Sequence, residues 1–309
     1  MRKIVPVLTG LLLLGFGNQA AADWQLTFGR ESGQVGVTVP ANAEDLPVGP
    51  SSFRGVGQDL WVLDSVKGRV ICLDGSGSIK KEVVLPKLKP EFILSDFALQ
   101  TGQNNEVTGV VALDMMAREI VVANGEGVEL RRIAADGLIQ LDEIDIDSKG
   151  QIYVGDYASA KIAVYSAAGK LLRTFPWQAS GFCVDENDNL HMLDYSEALG
   201  HSLVTLSASG AEIARQTVGM VDMQNPRIWQ VGPGGERLVS FVAPAGDPTQ
   251  QTLIMFAAAG EVVGKTVFTS PYYINRYLAC AAGKFWLVRA DYSNPFEVPI
   301  KVEPVSISR

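Results

Sequence analysis

The run EIDIDSKGQIYVGDYASAKIAVYSAAGKLLRTF, residues 143–175, carries one complete structural unit. An apolar–acidic start (EIDID) leads into a polar turn at Gly150, and a second apolar stretch (YVGDY) follows. A short loop, a third stretch (KIAVY), a tight turn at Gly169 and a fourth stretch (KLLRTF) complete it. Val, Ile and aromatic residues occupy the stretches while Gly, Asp and Ser occupy the joints, as expected for four short strands. One four-stranded sheet of this kind has two apolar faces and cannot bury both alone. No part of the chain after residue 22 has the apolar spacing of an amphipathic helix.

Working outward, the same rhythm recurs. LWVLD (60–64) precedes RVICLDGSG, VVALD (110–114) precedes EIVVANGEG, and HMLDY (191–195) precedes SLVTLSASG. LVSFV (238–242) precedes TLIMFAAAG, and FWLVRADY (285–292) precedes VPIKVEP. The turn glycines Gly77, Gly127, Gly169, Gly210 and Gly260 lie 50, 42, 41 and 50 residues apart. A period of about 40–50 residues built from short strands is the signature of a β-propeller. The reading is all-β: six four-stranded antiparallel blades in one domain over residues 23–309. The last unit has only three strands, so WQLTF (24–28) is expected to supply the fourth and close the ring, removing an open edge. Residues 29–50 and the segment LQTGQNNEVTG (99–109) fit the repeat least well.

Residues 143–175 resemble the NHL-type repeat of six-bladed propellers, with its apolar-Asp start, "YV-x-D" strand and "G-K" turn. Residues 181–217 are similar, residues 52–85 more loosely so, and the other units match in strand rhythm alone. The resemblance implies fold rather than function, because such propellers serve as binding platforms and as enzymes. Metal-dependent lactonases of this form gather acidic and amide side chains near the axis, and no such set maps onto this sequence position by position.

The N-terminus indicates export. Arg2 and Lys3, the apolar run Ile4–Phe16 and the small residues Ala20–Ala22 follow the order of a cleavable signal peptide over 1–22. The run is too short to span a bilayer. The expected location is periplasmic or secreted. The net charge of −8 becomes −10 once Arg2 and Lys3 are removed, which disfavours nucleic acid and anionic lipid as partners. Cys72, Cys183 and Cys280 each sit in an apolar strand-like run with no C-x-x-C pair. They read as buried free thiols, and no disulfide, metal site or cofactor is expected.

Catalytic residue types are sparse. The two histidines, His191 and His201, have no metal-ligand spacing, and no serine lies in a G-x-S-x-G elbow. DIDSKG (145–150) and DENDN (185–189) are rich in oxygen ligands, yet each alone is too short a cage for calcium and reads as a hairpin turn. The recurrent pairs Asp156-Tyr157, Asp194-Tyr195 and Asp291-Tyr292 close the second strands of their units. The loops that follow are expected to share one face with the loops joining successive blades. That face would gather Trp177, Arg227, Tyr272, Tyr273 and Arg276 with the three tyrosines, and aromatics and arginine dominate binding hot spots. Two functions compete. One is a binding or scaffold protein, monomeric or part of an envelope complex, that recognises a protein, peptide or glycan. The other is a hydrolase or lactonase with a divalent metal in the central pocket.

Overall fold

The computed structural model describes residues 24–40, 47–178, 180–218, 223–232, 234–244, 246–247, 249–270, 274–281, 283–292 and 294–307. The expected signal peptide lies outside the described residues, as do Tyr272 and Tyr273.

Among the described residues, twenty-four strands form six antiparallel four-stranded sheets. Blade one comprises β2 (Ser52–Val56), β3 (Asp59–Asp64), β4 (Arg69–Leu73) and β5 (Ile79–Val84). Blade two comprises β6 (Leu94–Thr101), β7 (Val107–Asp114), β8 (Glu119–Asn124) and β9 (Glu129–Ala134). Blade three comprises β10 (Leu141–Ile146), β11 (Ile152–Asp156), β12 (Lys161–Tyr165) and β13 (Leu171–Pro176). Blade four comprises β14 (Phe182–Val184), β15 (Leu190–Ser196), β16 (Gly200–Leu206) and β17 (Glu212–Thr217). Blade five comprises β18 (Gln224–Val231), β19 (Arg237–Val242), β20 (Gln250–Phe256) and β21 (Val262–Thr269). Blade six takes β22 (Leu278–Ala281), β23 (Lys284–Arg289) and β24 (Ile300–Pro304) from the C-terminus and β1 (Trp24–Leu26) from the N-terminus. The pairing Trp24↔Val302 and Leu26↔Ile300 is the ring closure expected from the sequence. The segment 99–109 proves ordinary: β6 and β7 are simply longer, joined by a turn with Asn104 and Asn105 in the left-handed region.

The blades cohere through apolar clusters between neighbouring sheets rather than through one central core. Separate clusters join blades one and two, two and three, three and four, and four and five. A larger cluster joins blades five and six back to blade one, with Trp24 stacked on Trp286 at a centroid distance of 4.6 Å. Each buried aromatic or aliphatic side chain contributes roughly 1.5–3 kcal/mol by leaving water. The turns after the third strands share one device. Gly77, Gly127, Gly169, Gly210 and Gly260 all hold φ between +78° and +97°, a region closed to most residues with a Cβ, which explains their recurrence.

This topology defines two ends of the ring. Loops between second and third strands and between successive blades lie on one end, the loop face. Turns between first and second and between third and fourth strands lie on the other, the hairpin face.

Candidate functional site

The first strand of each blade faces the axis, and its sequence alternates. A buried apolar residue (Phe53, Phe97, Ile144, Phe182, Ile228, Tyr277) packs between sheets, so its neighbours point the opposite way. In five blades those neighbours include charges: Arg54, Asp96, Glu143, Asp145, Arg227 and Arg276.

These six side chains plug the axis. Arg54 bonds Asp145 at 3.2 Å, Asp96 at 3.3 Å and the Ile144 carbonyl. Arg227 lies 3.2 Å from Glu143. Arg276 lies 3.6 Å from Asp96 and 3.5 Å from Glu143, and donates to the Trp229 carbonyl at 3.0 Å. Backbone amides complete the carboxylates: Ile144 N–H donates to Asp96, Gly181 N–H to Glu143 and Val184 N–H to Asp145. Three guanidinium groups thus balance three carboxylates. Burial alone would raise the Asp96 carboxyl. Arg54 and Arg276, with bonds from Ser52 and the Ile144 amide, outweigh it and hold the group below the ordinary range. Burial likewise opposes charge on Arg276, but Asp96, Glu143 and Asp145 keep it firmly protonated. At the loop-face end Asn275 spans the axis, donating to the carbonyls of Ser95 and Asp142 and accepting from Arg227.

The axis is therefore blind. Below the plug a cavity of about 320 Å³ opens at the hairpin face and takes lining residues from all six blades. Arg54, Asp145 and Arg276 form its polar end, with Cys183, Trp229, Val231 and Leu278 among its walls and Asp185 and Glu186 at its rim.

The residues singled out from the sequence divide into two groups. Tyr157 and Tyr195 are exposed on the loop face, at 61% and 43%. Tyr157 stands edge-on to Trp177, and Tyr195 leans on His201. Tyr292, expected beside them, is 4% exposed because the segment after β1 folds over it: its hydroxyl donates to the Pro50 carbonyl and its ring meets Phe28. Trp177 is 3% exposed and fills the space beside Gly155 and Phe182. Arg276 and Arg227 belong to the axial plug rather than to the loop surface, because β18 and the lead into β22 carry them inward. Asp156 is buried and caps its loops, accepting from the amides of Ile139, Gln140 and Ser159. Asp64 and Asp114 cap the equivalent loops through the amides of Lys67 and Ala117. Asp194 accepts from its neighbour Tyr195 N–H and pairs with Arg215, while Asp291 is exposed.

The acidic turns close hairpins. Asp147 accepts from the amides of Lys149 and Gln151, and Asp185 from those of Asn187 and Asn189. Both histidines are buried; His191 sits between Asp185 and Thr205, and burial lowers its pKa despite Asp185. The three thiols are unpaired, Cys72 and Cys183 buried and Cys280 half-buried. Burial pushes Cys72 up to about 12 and raises Cys183 as well.

Of the axial plug, the sequence singles out Arg227 and Arg276 alone and assigns them to the loop face, although a signal for the other charges exists. Charges within first strands, as in SFRGV, LSDFAL and LDEIDI, have no solvated face to occupy in a propeller.

No family model and no curated protein sequence matches the chain. Solved structures do resemble it. A candidate exported protein of Bacteroides fragilis superposes with a TM-score of 0.57 at 9% identity, covering 93% of this chain and 95% of that one. A member of the DUF4221 family from Bacteroides vulgatus gives 0.54 at 11%, covering 93% and 99%. Virginiamycin B lyase from Staphylococcus aureus gives 0.50 at 16%, covering 84% and 86%. At these identities the likeness extends to the six-bladed propeller fold alone.

Proposed function

We propose that this is an exported binding protein that recognises a protein, peptide or glycan through its loop face. One observation carries the reading. Seventeen large hydrophobic residues are exposed among the described residues, and they fall into two sets. Eight lie on the outer strands or in an adjoining hairpin turn, where one sheet face meets water. The other nine lie on the loop face: Val39, Val48, Ile93, Met116, Ile139, Tyr157, Tyr195, Leu199 and Phe296. Loops elsewhere are mostly polar for solubility, so apolar tips gathered on one end favour a partner there. Asp156 and Asp194 serve by holding the tyrosine loops in place. Export rests on the order of basic, apolar and small residues over 2–22.

The metal-dependent hydrolase fits the side chains less well. Asp96, Glu143, Asp145 and Asn275 do converge from several blades, but Arg54, Arg227 and Arg276 already supply their counter-charge. A divalent cation among three guanidinium groups would be repelled by all of them.

The test compares the mature protein with Tyr157→Ala/Tyr195→Ala as bait for envelope and extracellular material of the producing cell. Retention of specific partners should fall at least tenfold, about 1.4 kcal/mol, at unchanged melting temperature. Equal retention by the double variant would reject the loop face as the recognition surface.

A further inference from the structure

The aspartates that end the second strands of blades one, two and three cap their loops alike, yet their second oxygens differ. Asp64 accepts from Arg69 Nε at 3.0 Å, and Asp156 accepts from the Ile139 amide at 2.9 Å. Asp114 is fully buried, and its Oδ2 accepts no hydrogen bond among the described residues. Two features of the sequence explain the difference. In blade one the cross-strand neighbour of Asp64 is Arg69, which also pairs with Glu82 on the fourth strand. Blade two carries this pair reversed: Glu119 lies across from Asp114, and Arg132 on the fourth strand binds Glu119 at 3.1 Å instead of reaching the aspartate. In blade three the lead into the first strand bonds both oxygens of Asp156 through the amides of Ile139 and Gln140. The matching lead in blade two, LPKLKPEFI (85–93), makes a turn at Pro90 that commits the Phe92 amide to the Lys89 carbonyl at 3.2 Å. It stands off from the carboxylate, and the gap is a loop-face cavity of about 360 Å³ between residues 89–92 and Asp114, Met116 and Ala117. Lys89 in its wall turns to Glu119 at 4.0 Å, and Asp114 with Glu91 leaves the charged lining net negative. A buried carboxylate without a counter-charge is costly, and a cation that donates to it offsets that cost.

We propose that this cavity receives the guanidinium of an arginine side chain presented by a protein or peptide partner, with an N–H toward Asp114 Oδ2 and the aliphatic stem along Pro90, Phe92 and Met116. The partner supplies to Asp114 what Arg69 supplies to Asp64 within blade one. A guanidinium is weakly hydrated and packs flat on apolar and aromatic surface, while its stem buries along the walls. The cavity lies at the small end of ligand sites, with room for one side chain. The inference rests on the loop-face reading for its partner and narrows that partner to a protein or peptide with an exposed arginine.

Methyl NMR and calorimetry on the mature protein, at matched ionic strength, test the cavity with butylguanidinium, acetyl-Gly-Arg-Gly-amide, pentanamide and glucosamine. Butylguanidinium should bind with a Kd of about 10 mM or tighter, a modest efficiency for so few atoms, and should shift the Met116 methyl signal. The arginine peptide should bind at least as tightly, and pentanamide and glucosamine about tenfold or more weakly, because neither brings a guanidinium to the carboxylate. Asp114→Asn keeps the capping oxygen and removes the charge. The double exchange Glu119→Arg/Arg132→Glu rebuilds the blade-one pairing and fills Asp114 Oδ2 from within the chain. Each should weaken butylguanidinium about tenfold or more, and because they act through different residues one folded variant is enough. No butylguanidinium binding at about 50 mM, five times the expected Kd, would overturn the proposal, as would unchanged binding in a folded variant. Equal binding of pentanamide would remove the role of charge, equal binding of glucosamine would assign the cavity to an amino sugar, and failure of the arginine peptide would exclude a protein partner; each overturns it. These probes need no cellular partner, so their failure strikes the cavity alone, whereas equal partner retention by the tyrosine double variant strikes the loop-face reading.

Discussion

At the residue scale, identical dipeptides have different fates. Asp156-Tyr157 and Asp291-Tyr292 read alike, yet one ring faces water and the other lies under the segment between β1 and β2. The difference comes from residues some 240 positions away in sequence, which no local pattern reveals. Tyr292→Ala should therefore cost about 3–5 kcal/mol of stability, whereas Tyr157→Ala should stay within about 0.5 kcal/mol. Urea unfolding followed by tryptophan fluorescence measures both, and equal losses would contradict the placement. The axial charges were hidden for the same reason: each partner sits on another blade, as Arg54 and Asp145 do across 91 residues. Their pairing has a pH signature. The Asp96 carboxyl is depressed in the fold, so its contribution is fully present above its unfolded pKa of about 3.9 and is lost as pH falls through the folded value. Arg54→Met removes the strongest charge acting on Asp96. It should cost about 3–5 kcal/mol and move the onset of acid unfolding to higher pH. An unchanged acid limb in that variant would show that the pair does not hold the carboxylate down.

At the element scale, the sequence was most legible where a unit repeats. Strand order, turn glycines and the incomplete last blade were all visible, because each depends on neighbours within about 50 residues. The pairing of β1 with β24 was also visible, as an unpartnered strand at one end and a blade short of one strand at the other. Trp24 and Leu26 are buried there, and Trp24 stacks on Trp286. Deleting residues 24–28 should speed hydrogen exchange across Ile300–Pro304 as much as next to the deletion, because it exposes that edge and its apolar surface. Exchange unchanged across those residues would contradict closure by β1. The hairpin turns at Asp147 and Asp185 illustrate the opposite risk. Acidic turns suggest a cation until their oxygens are seen to accept from their own backbone.

At the scale of the whole molecule, the ring presents two unlike ends. One is sealed by Asn275 and the axial ion pairs and carries apolar loop tips; the other opens into a small mixed cavity. The sequence could place loops on a common face, but it could not say which tips reach water, since the loops cover one another. The central claim, recognition through the loop face, is tested most directly by oxidative footprinting of the mature protein with and without envelope and extracellular material from the producing cell. Met116, Tyr157, Tyr195 and Phe296 are both exposed and readily oxidised. All four should lose reactivity together when the partner is bound, while the half-buried Cys280 at the hairpin-face cavity keeps its own. Protection confined to the hairpin face, with the four loop-face side chains as reactive as in the free protein, would contradict it.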